Sequence, residues 1–316
     1  MSYTEFGPST NFSGVIQLAM CDLSNPARPA CHNGSDGRIT GTGAPASPYF
    51  TVAQADPNFC ENEGAYPAVD TNTGDVYVAY EHNWFTGLFA CGSSASNPLG
   101  EPTQNVMNFV PFSCLANTPT SPCSGPAATQ GVNITSLEAA FIPGYNRFPA
   151  SDFPRVAVSN PAGTVSMVWN DGRLNGTGDI FLQSFNLGGS LAPVAGQPVR
   201  INARKDSSGW QFLPAVRQAD DRGTLNVSFY SRDSQNTANT DVHIATRVDP
   251  RMSSPPTGSN TQITTGSSNW LTISSIIIPN FGDYTDNYVA AGTLFVAWSD
   301  GRLGFPQPFE DNVGVH

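Results

Sequence analysis

Basic residues are scarce in this sequence, and lysine is almost missing. Only one of the 14 basic residues is a lysine, Lys205, whereas 25 residues are acidic, so the formal net charge is −11 at pH 7. A surface with this charge repels phosphate backbones and offers no polybasic patch to anionic lipids. No run approaches about 18 apolar residues, the length that predicts a membrane-spanning helix. We therefore expect neither nucleic-acid binding nor membrane insertion.

The sequence also lacks the short motifs of several enzyme classes. G-x-S-x-G, H-E-x-x-H, P-loop and G-x-G-x-x-G motifs do not occur, and the four histidines show no metal-ligand spacing. None of the six cysteines forms a C-x-x-C pair, which removes the usual signal for zinc or redox chemistry. Hydrolase-triad, zinc-protease and nucleotide-binding functions therefore lose their usual support.

The cysteines instead favour disulfide bonds, and with them a secreted or cell-surface protein. Six cysteines allow 15 connectivities, and we pair neighbours because short loops close at the lowest entropic cost. The predicted disulfides are Cys21–Cys31, Cys60–Cys91 and Cys114–Cys123. The N-x-S/T sequons of an extracellular glycoprotein occur at Asn11, Asn33, Asn133, Asn175 and Asn226. The first residues lack the pattern of a signal peptide, so secretion implies a removed signal or a longer chain.

Glycine and proline, in contrast, are plentiful, with 30 and 26 residues respectively, beside 39% hydrophobic residues. This composition supplies a large core and many turns, which favours an all-β fold. Four segments repeat one pattern: an apolar strand, a turn ending in glycine, and an alternating strand that ends in an aromatic residue. They read YPAVDTNTGDVYVAY from Tyr66, FPRVAVSNPAGTVSMVW from Phe153, LPAVRQADDRGTLNVSF from Leu213 and FGDYTDNYVAAGTLFVAW from Phe281.

The four copies keep one register. The aromatic residue follows the turn glycine by six residues in each: Gly74 to Tyr80, Gly163 to Trp169, Gly223 to Phe229 and Gly292 to Trp298. Glycine supplies the positive φ that tight hairpin turns need, and period-2 alternation places one face of each strand on a core. Further strand-like runs follow the hairpins, so the repeating unit is four strands.

A repeated four-strand antiparallel unit predicts a β-propeller, here of about five to six blades. We expect one domain over residues 1–316, with a partial blade at 1–65 that leaves the N-terminal side incomplete. The blade units are 66–150, 151–205, 206–270 and 271–316. The alternative is a β-sandwich with accidental repeats, but sandwich strands do not share an aligned turn glycine and terminal aromatic.

Two copies continue from the aromatic residue into Asp-Gly-Arg, as VWNDGR at 168–173 and AWSDGR at 297–302. With GDIFLQSF and FEDNVGV downstream, the chain resembles the BNR-repeat, sialidase-like (neuraminidase-like) family of secreted propellers. That resemblance implies exo-α-sialidase chemistry: arginines that hold a sugar carboxylate, a Tyr–Glu nucleophile pair and an aspartic acid/base. The family's first arginine stands two residues before a proline, where this sequence has Ala65, Asp152 and Phe212. Whether the chain is a glycoside hydrolase therefore stays open.

The Asp-Gly-Arg triplets supply candidate substrate-binding residues, Asp171, Arg173, Asp300 and Arg302. Each aspartate and arginine are two residues apart and share a face if the strand continues. One hypothesis makes them contacts for a sugar at the channel mouth. The other makes each an Asp–Arg pair that fixes the turn against the neighbouring blade.

The segment NFGDYTDN replaces the apolar start of an inner strand with acidic residues. A carboxylate near the axis is costly unless it is paired, hydrated or bound to a cation. We therefore predict Asp283 and Tyr284 as catalytic residues, with Arg155 as a substrate-binding residue on a neighbouring inner strand. Hydrogen bonding of Asp283 to Arg155, or a bound Ca²⁺ as cofactor, are the alternatives.

Three aromatic residues precede inner strands and are predicted on loops at the channel rim: Tyr145, Trp210 and Trp270. They would stack on sugar rings or, alternatively, fill the wedge between blades. Together these features predict an extracellular propeller that binds, and in one version hydrolyses, glycans or cell-surface polysaccharide. The alternative is a non-catalytic surface, adhesion or assembly module whose blade edges meet protein partners.

Overall fold

The computed structural model describes residues 2–5, 14–18, 20–22, 30–32, 50–53, 61–84, 102–112, 130–137, 153–174, 176–203, 209–219, 222–232, 239–256, 260–273 and 285–314. Their regular structure is almost entirely β-strand. None of the helical structure within these ranges is long and apolar enough to cross a membrane. The predicted all-β class is therefore confirmed.

Four antiparallel sheets follow one another along the chain, and we call them blades I to IV. Blade I contains β6 (Glu61–Val69), β7 (Val76–Trp84), β8 (Pro102–Val110) and β9 (Gln130–Leu137). Blade II contains β10 (Arg155–Ser159), β11 (Thr164–Asp171), β12 (Asp179–Asn186) and β13 (Val199–Arg200). Blade III contains β14 (Trp210–Gln218), β15 (Leu225–Arg232), β16 (Asn239–Val248) and β17 (Thr261–Gln262), with β18 (Ser268–Asn269) also paired to β16. Blade IV contains β19 (Asp286–Ala290), β20 (Thr293–Asp300) and β21 (Gln307–Gly314).

The N-terminal strands form two smaller sheets. One, the N-terminal sheet, contains β1 (Ser2–Glu5), β2 (Val15–Leu18) and β5 (Phe50–Ala53). The other pairs β3 (Met20–Asp22) with β4 (Ala30–His32). Strand β1 lies beside β6, so the N-terminal sheet is the neighbour of blade I.

Each blade opens with one of the four predicted hairpins. The turn glycines all have positive φ: Gly74 (80°), Gly163 (64°), Gly223 (88°) and Gly292 (72°). At Gly223 a side chain would also collide with the neighbouring blade, because an added Cβ would lie 2.6 Å from the backbone nitrogen of Ala162. This glycine therefore serves both the turn and the approach of blade III to blade II.

The hydrophobic core is divided into layers between consecutive sheets. One layer lies between blades I and II, including Met107 and Trp169, and another between II and III, including Leu182 and Val227. A third joins blade III to blade IV, and the N-terminal sheet packs on blade I in the same way. The innermost strands β6, β10, β14 and β19 lie side by side in chain order.

Sheets that pack face to face around their first strands are the arrangement of a β-propeller. The propeller prediction is thus confirmed for four consecutive blades. The prediction of about five to six blades exceeds what these four blades show. The β-sandwich alternative does not fit, because a sandwich has two inner faces whereas this core has successive layers.

Candidate functional site

The inner strands each bring one chemically active side chain to the middle of the molecule. Tyr66 lies on β6, Arg155 on β10, Arg217 on β14 and Asp286 on β19. We call these four residues the axial cluster. They come from four different blades, so their meeting depends on the propeller arrangement rather than on closeness in sequence.

Strand register explains why they meet. Three of them pair with the residue just before the repeat's terminal aromatic: Tyr66 with Ala79, Arg155 with Val168 and Asp286 with Ala297. Arg217 pairs with Asn226, two residues nearer the turn. Because side chains alternate along a strand, a shift of two residues keeps the same face.

Hydrogen bonds join three members of the cluster. The Tyr66 hydroxyl lies 3.0 Å and 3.1 Å from the two carboxylate oxygens of Asp286 and donates to that carboxylate. Nη2 of Arg217 donates to the Tyr66 hydroxyl and, at 3.0 Å, to Oδ2 of Asp286. The carboxylate therefore orients both the phenol and the guanidinium.

Arg155 enters the cluster through the ring of Tyr66. Its Cζ lies 4.9 Å from the ring centroid, and Cζ of Arg217 lies 5.1 Å from the same centroid, so both make cation–π contacts. Arg155 is only 2% exposed, and its Nη1 donates to the carbonyl of Phe153 at 3.3 Å. Backbone and ring thus fix this arginine in place.

Burial and the neighbouring charges together shift the pKa of Tyr66. Burial raises the pKa of Tyr66 above its ordinary value; Arg217 opposes this rise, and the negative charge of Asp286 adds to it. Tyr66 is therefore a neutral hydrogen-bond donor at neutral pH. Two guanidinium groups and one carboxylate leave the cluster formally positive, in a chain whose net charge is −11.

A cavity of about 580 Å³ adjoins the cluster. Tyr66, Arg155 and Asp286 line it, and the remaining wall comes from Thr285 and from blade IV: Ala297, Trp298, Ser299, Pro306, Gln307 and Pro308. The side chain of Asp286 is 53% exposed and that of Arg217 is 31% exposed. A solute can therefore reach the polar atoms of the cluster.

Of the predicted site residues, Arg155 lies in this cluster, whereas Asp283, Tyr284 and Tyr145 fall outside the described residues. Sequence analysis did not assign Tyr66, Arg217 or Asp286 to the site. The signal that would have found them is positional. All four cluster residues stand an even number of residues, eight or six, before their turn glycine.

The first Asp-Gly-Arg triplet forms a closed polar unit. The buried carboxylate of Asp171 accepts hydrogen bonds from Nε1 of Trp169 at 3.0 Å, from the backbone of Arg173 at 2.9 Å, and from the Arg173 guanidinium at 2.9 Å and 2.5 Å. Nη2 of Arg173 also donates to the carbonyl of Thr135 in blade I at 2.7 Å. The unit fastens blade II to blade I.

The second triplet repeats this geometry. Asp300 accepts from Trp298 at 3.1 Å and from the Arg302 guanidinium at 2.9 Å and 2.5 Å, and Arg302 reaches Thr265 in blade III at 2.9 Å. Ser268 of blade III donates to the same carboxylate at 2.7 Å. These contacts support the hypothesis that the pairs fix neighbouring blades. Contact of Asp171, Arg173, Asp300 or Arg302 with a sugar stays a prediction.

The two described rim aromatics are buried. Trp270 is 0% exposed and Trp210 is 6% exposed, and both belong to the core layer between blades III and IV. The guanidinium of Arg232 lies 5.8 Å from the Trp210 ring centroid. These surroundings support the alternative in which the rings fill the wedge between blades rather than stack on a ligand.

Two further predictions concern disulfides and metal. The pairing of β3 with β4 places Cys21 directly opposite Cys31, which suits a disulfide, while Cys60, Cys91, Cys114 and Cys123 lie outside the described residues. Within the described ranges, no three His, Cys, Asp or Glu side chains gather to hold a metal ion. The Ca²⁺ prediction, which rested on Asp283, stays a prediction.

Comparisons with known proteins give loose structural likenesses. No protein-family model and no curated protein sequence matches this chain. An N-acetylgalactosamine deacetylase from F. plautii is 13% identical with a TM-score of 0.45, over 91% of this chain and 75% of that one. A GH43_1 enzyme from Xanthomonas citri complexed with xylose is 14% identical with a TM-score of 0.42, over 82% and 74%. An α-L-arabinanase from Penicillium chrysogenum complexed with arabinobiose is 12% identical with a TM-score of 0.39, over 96% and 72%. The propeller assignment therefore rests on the sheets and their packing.

Proposed function

We propose that this chain binds carboxylate-bearing glycans at the axial cluster. The observation that carries the proposal is the convergence of Tyr66, Arg155 and Asp286 from three inner strands on one accessible cavity. Arg217, from a fourth inner strand, is hydrogen-bonded to Tyr66 and Asp286 and is 31% exposed. The axial cluster is formally positive although the chain has a net charge of −11. This local positive charge favours an anionic ligand. The cavity, of about 580 Å³, lies in the usual range for small-molecule sites.

Each residue type suits one part of such a ligand. The planar guanidinium of Arg217 pairs with carboxylates through two parallel hydrogen bonds. The neutral phenol of Tyr66 and the carboxylate of Asp286 respectively donate to and accept from sugar hydroxyls. A ligand carboxylate would share Arg217 with Asp286, whose ion pair at 3.0 Å holds the guanidinium ready in the free protein.

Hydrolysis is a second candidate function, and the Tyr66–Asp286 hydrogen bond favours it. The sialidase resemblance implies a tyrosine activated by a carboxylate, and this pair has that form. Glycoside cleavage also needs a proton donor for the leaving group. Asp286 is the one carboxylate among the described residues that line the cavity, so binding is better supported than cleavage.

A panel of glycans tests the proposal. Isothermal titration calorimetry would compare uronic-acid and sialic-acid oligosaccharides with neutral oligosaccharides of equal length. We expect binding of at least one anionic series, and a loss of about thirtyfold in affinity for Arg217→Gln, the equivalent of about 2 kcal/mol for a charged hydrogen bond. Arg251→Gln removes the same charge from an exposed turn that contacts Ala162 and Asn186, and should bind normally.

Three outcomes separate the candidates. If Arg217→Gln and Arg251→Gln weaken binding equally, the loss comes from the change in overall charge. This outcome would contradict the proposed site. Release of a fluorophore from an aryl sialoside, abolished by Tyr66→Phe, would support hydrolysis. A folded protein that binds no glycan of the panel would refute the proposal and favour the surface or assembly module.

The remaining parts of the proposal concern the setting of the protein. We place the function outside the cell, because six cysteines without metal or redox spacing suit an oxidising compartment. We also propose that the N-terminal sheet extends the series of blades on the side of blade I away from blade II, since it packs on blade I through Ile16, Leu18 and Val52.

A further inference from the structure

Blade IV has one buried and one open face. On β20 the side chains of Leu294, Val296 and Trp298 are buried against blade III. The alternate residues of the same strand are partly or fully exposed, whereas β11 and β15 in blades II and III are buried at every position. Blade IV therefore presents the face that lies away from blade III, its outer face, to solvent.

The outer face of blade IV carries both polar and apolar side chains. Its members are Asp286, Tyr288, Thr293, Phe295, Ala297, Ser299, Pro308, Glu310 and Asn312. The hydroxyl, amide and carboxylate groups of this face are exposed and can bind water or a polar ligand.

One aromatic pair stands out on this face. Tyr288 on β19 lies opposite Phe295 on β20, and their rings are stacked with centroids 4.7 Å apart and planes 8° apart. Tyr288 remains 55% exposed. Stacking covers one face of the Tyr288 ring, and the other face, beside hydrogen-bonding groups, can contact the C–H face of a sugar ring.

The outer face is continuous with the axial cavity. Ala297, Ser299 and Pro308 belong both to this face and to the cavity wall. Asp286 and Tyr288 are two residues apart on β19, so they share a face about 7 Å apart. A ligand held by the axial cluster would therefore continue along blade IV onto Tyr288.

We propose that blade IV extends the axial site into a binding surface for an oligosaccharide. The carboxylate-bearing sugar lies at Arg217, and the following sugars lie along the outer face with one ring stacked on Tyr288. This inference rests on the proposed function and specifies its ligand as an oligosaccharide rather than a single sugar.

The test compares ligands of different length. The probes are N-acetylneuraminic acid with 3′-sialyllactose, and galacturonic acid with trigalacturonic acid, titrated into the full chain by calorimetry. Tyr288→Ala should lower the affinity for the bound trisaccharide by about tenfold, a magnitude typical of one aromatic contact, and leave the monosaccharide affinity unchanged. Tyr288→Phe should retain the trisaccharide affinity because it keeps the stacking ring.

Controls separate binding from folding. Phe112→Ala removes an exposed aromatic ring two residues after the end of β8 and should change neither affinity. Tyr288→Thr keeps a strand-forming residue and should reproduce the loss seen for alanine. Unchanged monosaccharide binding in each variant shows that the axial site is intact.

Two results would overturn the inference in distinguishable ways. If Tyr288→Ala binds the trisaccharide as well as the original chain does, while Arg217→Gln fails to bind either ligand, the surface is wrong and the axial site stands. If Tyr288→Ala lowers the melting temperature but leaves both affinities unchanged, the ring pair is a cross-strand stabilising contact. This result would also refute the binding surface. If neither monosaccharide nor trisaccharide binds, the proposed function fails and this inference with it.

Discussion

Replacing Asp300 by asparagine should destabilise the protein without weakening glycan binding. The substitution keeps the shape of the side chain but removes its charge and replaces one acceptor oxygen with a donor NH₂ group. Asp300 accepts hydrogen bonds from Trp298, Ser268, the backbone of Arg302 and the Arg302 guanidinium. Asparagine cannot accept from all of these donors, because its amide nitrogen is itself a donor.

The expected loss follows from burial. Asp300 is 1% exposed and Arg302 is 21% exposed, so asparagine leaves a largely buried guanidinium without its counter-charge. Removing one partner of a buried pair costs about 3 to 5 kcal/mol, and we take the lower end because Arg302 retains some solvent. For a chain of this size, about 3 kcal/mol corresponds to a decrease of about 5 °C in melting temperature.

The pH dependence of the free energy of unfolding provides a second test of the role of Asp300. Burial alone raises the pKa of Asp300, but hydrogen bonds from Arg302, Ser268 and Trp298 outweigh it and hold the pKa below its ordinary value. A carboxyl whose pKa is lower in the folded state stabilises above its unfolded pKa, near 3.9, and loses this contribution as the pH falls through the folded value. The stability difference between the original chain and Asp300→Asn should therefore be constant from about pH 5 to 8 and shrink below about pH 4.

Urea unfolding followed by tryptophan fluorescence measures both effects. Asp249→Asn is the matched control, because exposed Asp249 accepts a hydrogen bond from the backbone of Arg251 at 2.8 Å in the same i to i+2 geometry. Asp171→Asn should also destabilise, since Asp171 accepts from Trp169 and Arg173 as Asp300 accepts from Trp298 and Arg302. A loss in Asp300→Asn no larger than in Asp249→Asn, or reduced glycan affinity at full stability, would refute the structural role.

Two further predictions use backbone geometry. Gly223→Ala should destabilise by more than about 2 kcal/mol in urea unfolding, because φ is 88° and the new Cβ would lie 2.6 Å from the nitrogen of Ala162. Gly188→Ala, with φ of 108° and open space around it, should cost only about 1 kcal/mol, and equal losses would contradict the inter-blade contact. Peptide mapping of the oxidised chain should join Cys21 to Cys31, which β3 and β4 place opposite each other, whereas a peptide joining either to another cysteine would rule the pair out.

Much of the fold can be predicted from the sequence because the blades share a repeat whose signals lie close together along the chain. The turn glycine, the alternating strand and the terminal aromatic all act within one hairpin, and the four hairpins are present as predicted. Burial of Trp169 and Trp298 also follows, since the strand that carries each is apolar on one face. The number of blades does not follow, because it depends on how sheets far apart in sequence pack together.

The site was harder to predict for the same reason. Arg155 was assigned to an inner strand, but Tyr66, Arg217 and Asp286 have no motif of their own. Their partners lie 220 residues apart for Tyr66 and Asp286, and 151 residues apart for Tyr66 and Arg217. The acidic segment NFGDYTDN predicts a carboxylate at the start of an inner strand, and the residue that the structure brings to the cluster is Asp286.

Exposure distinguishes the two kinds of Asp–Arg pair in this molecule. Asp300 is 1% exposed and accepts hydrogen bonds from Trp298, Ser268 and Arg302, which supports a role in holding blades together. Asp286 is 53% exposed and lines a cavity, and its partner Arg217 is 31% exposed. An ion pair with this exposure adds little stability. A pair that contributes little to folding and faces a cavity is better explained by binding. Arg217→Gln should therefore reduce affinity while leaving stability nearly unchanged, and Asp300→Asn should do the reverse.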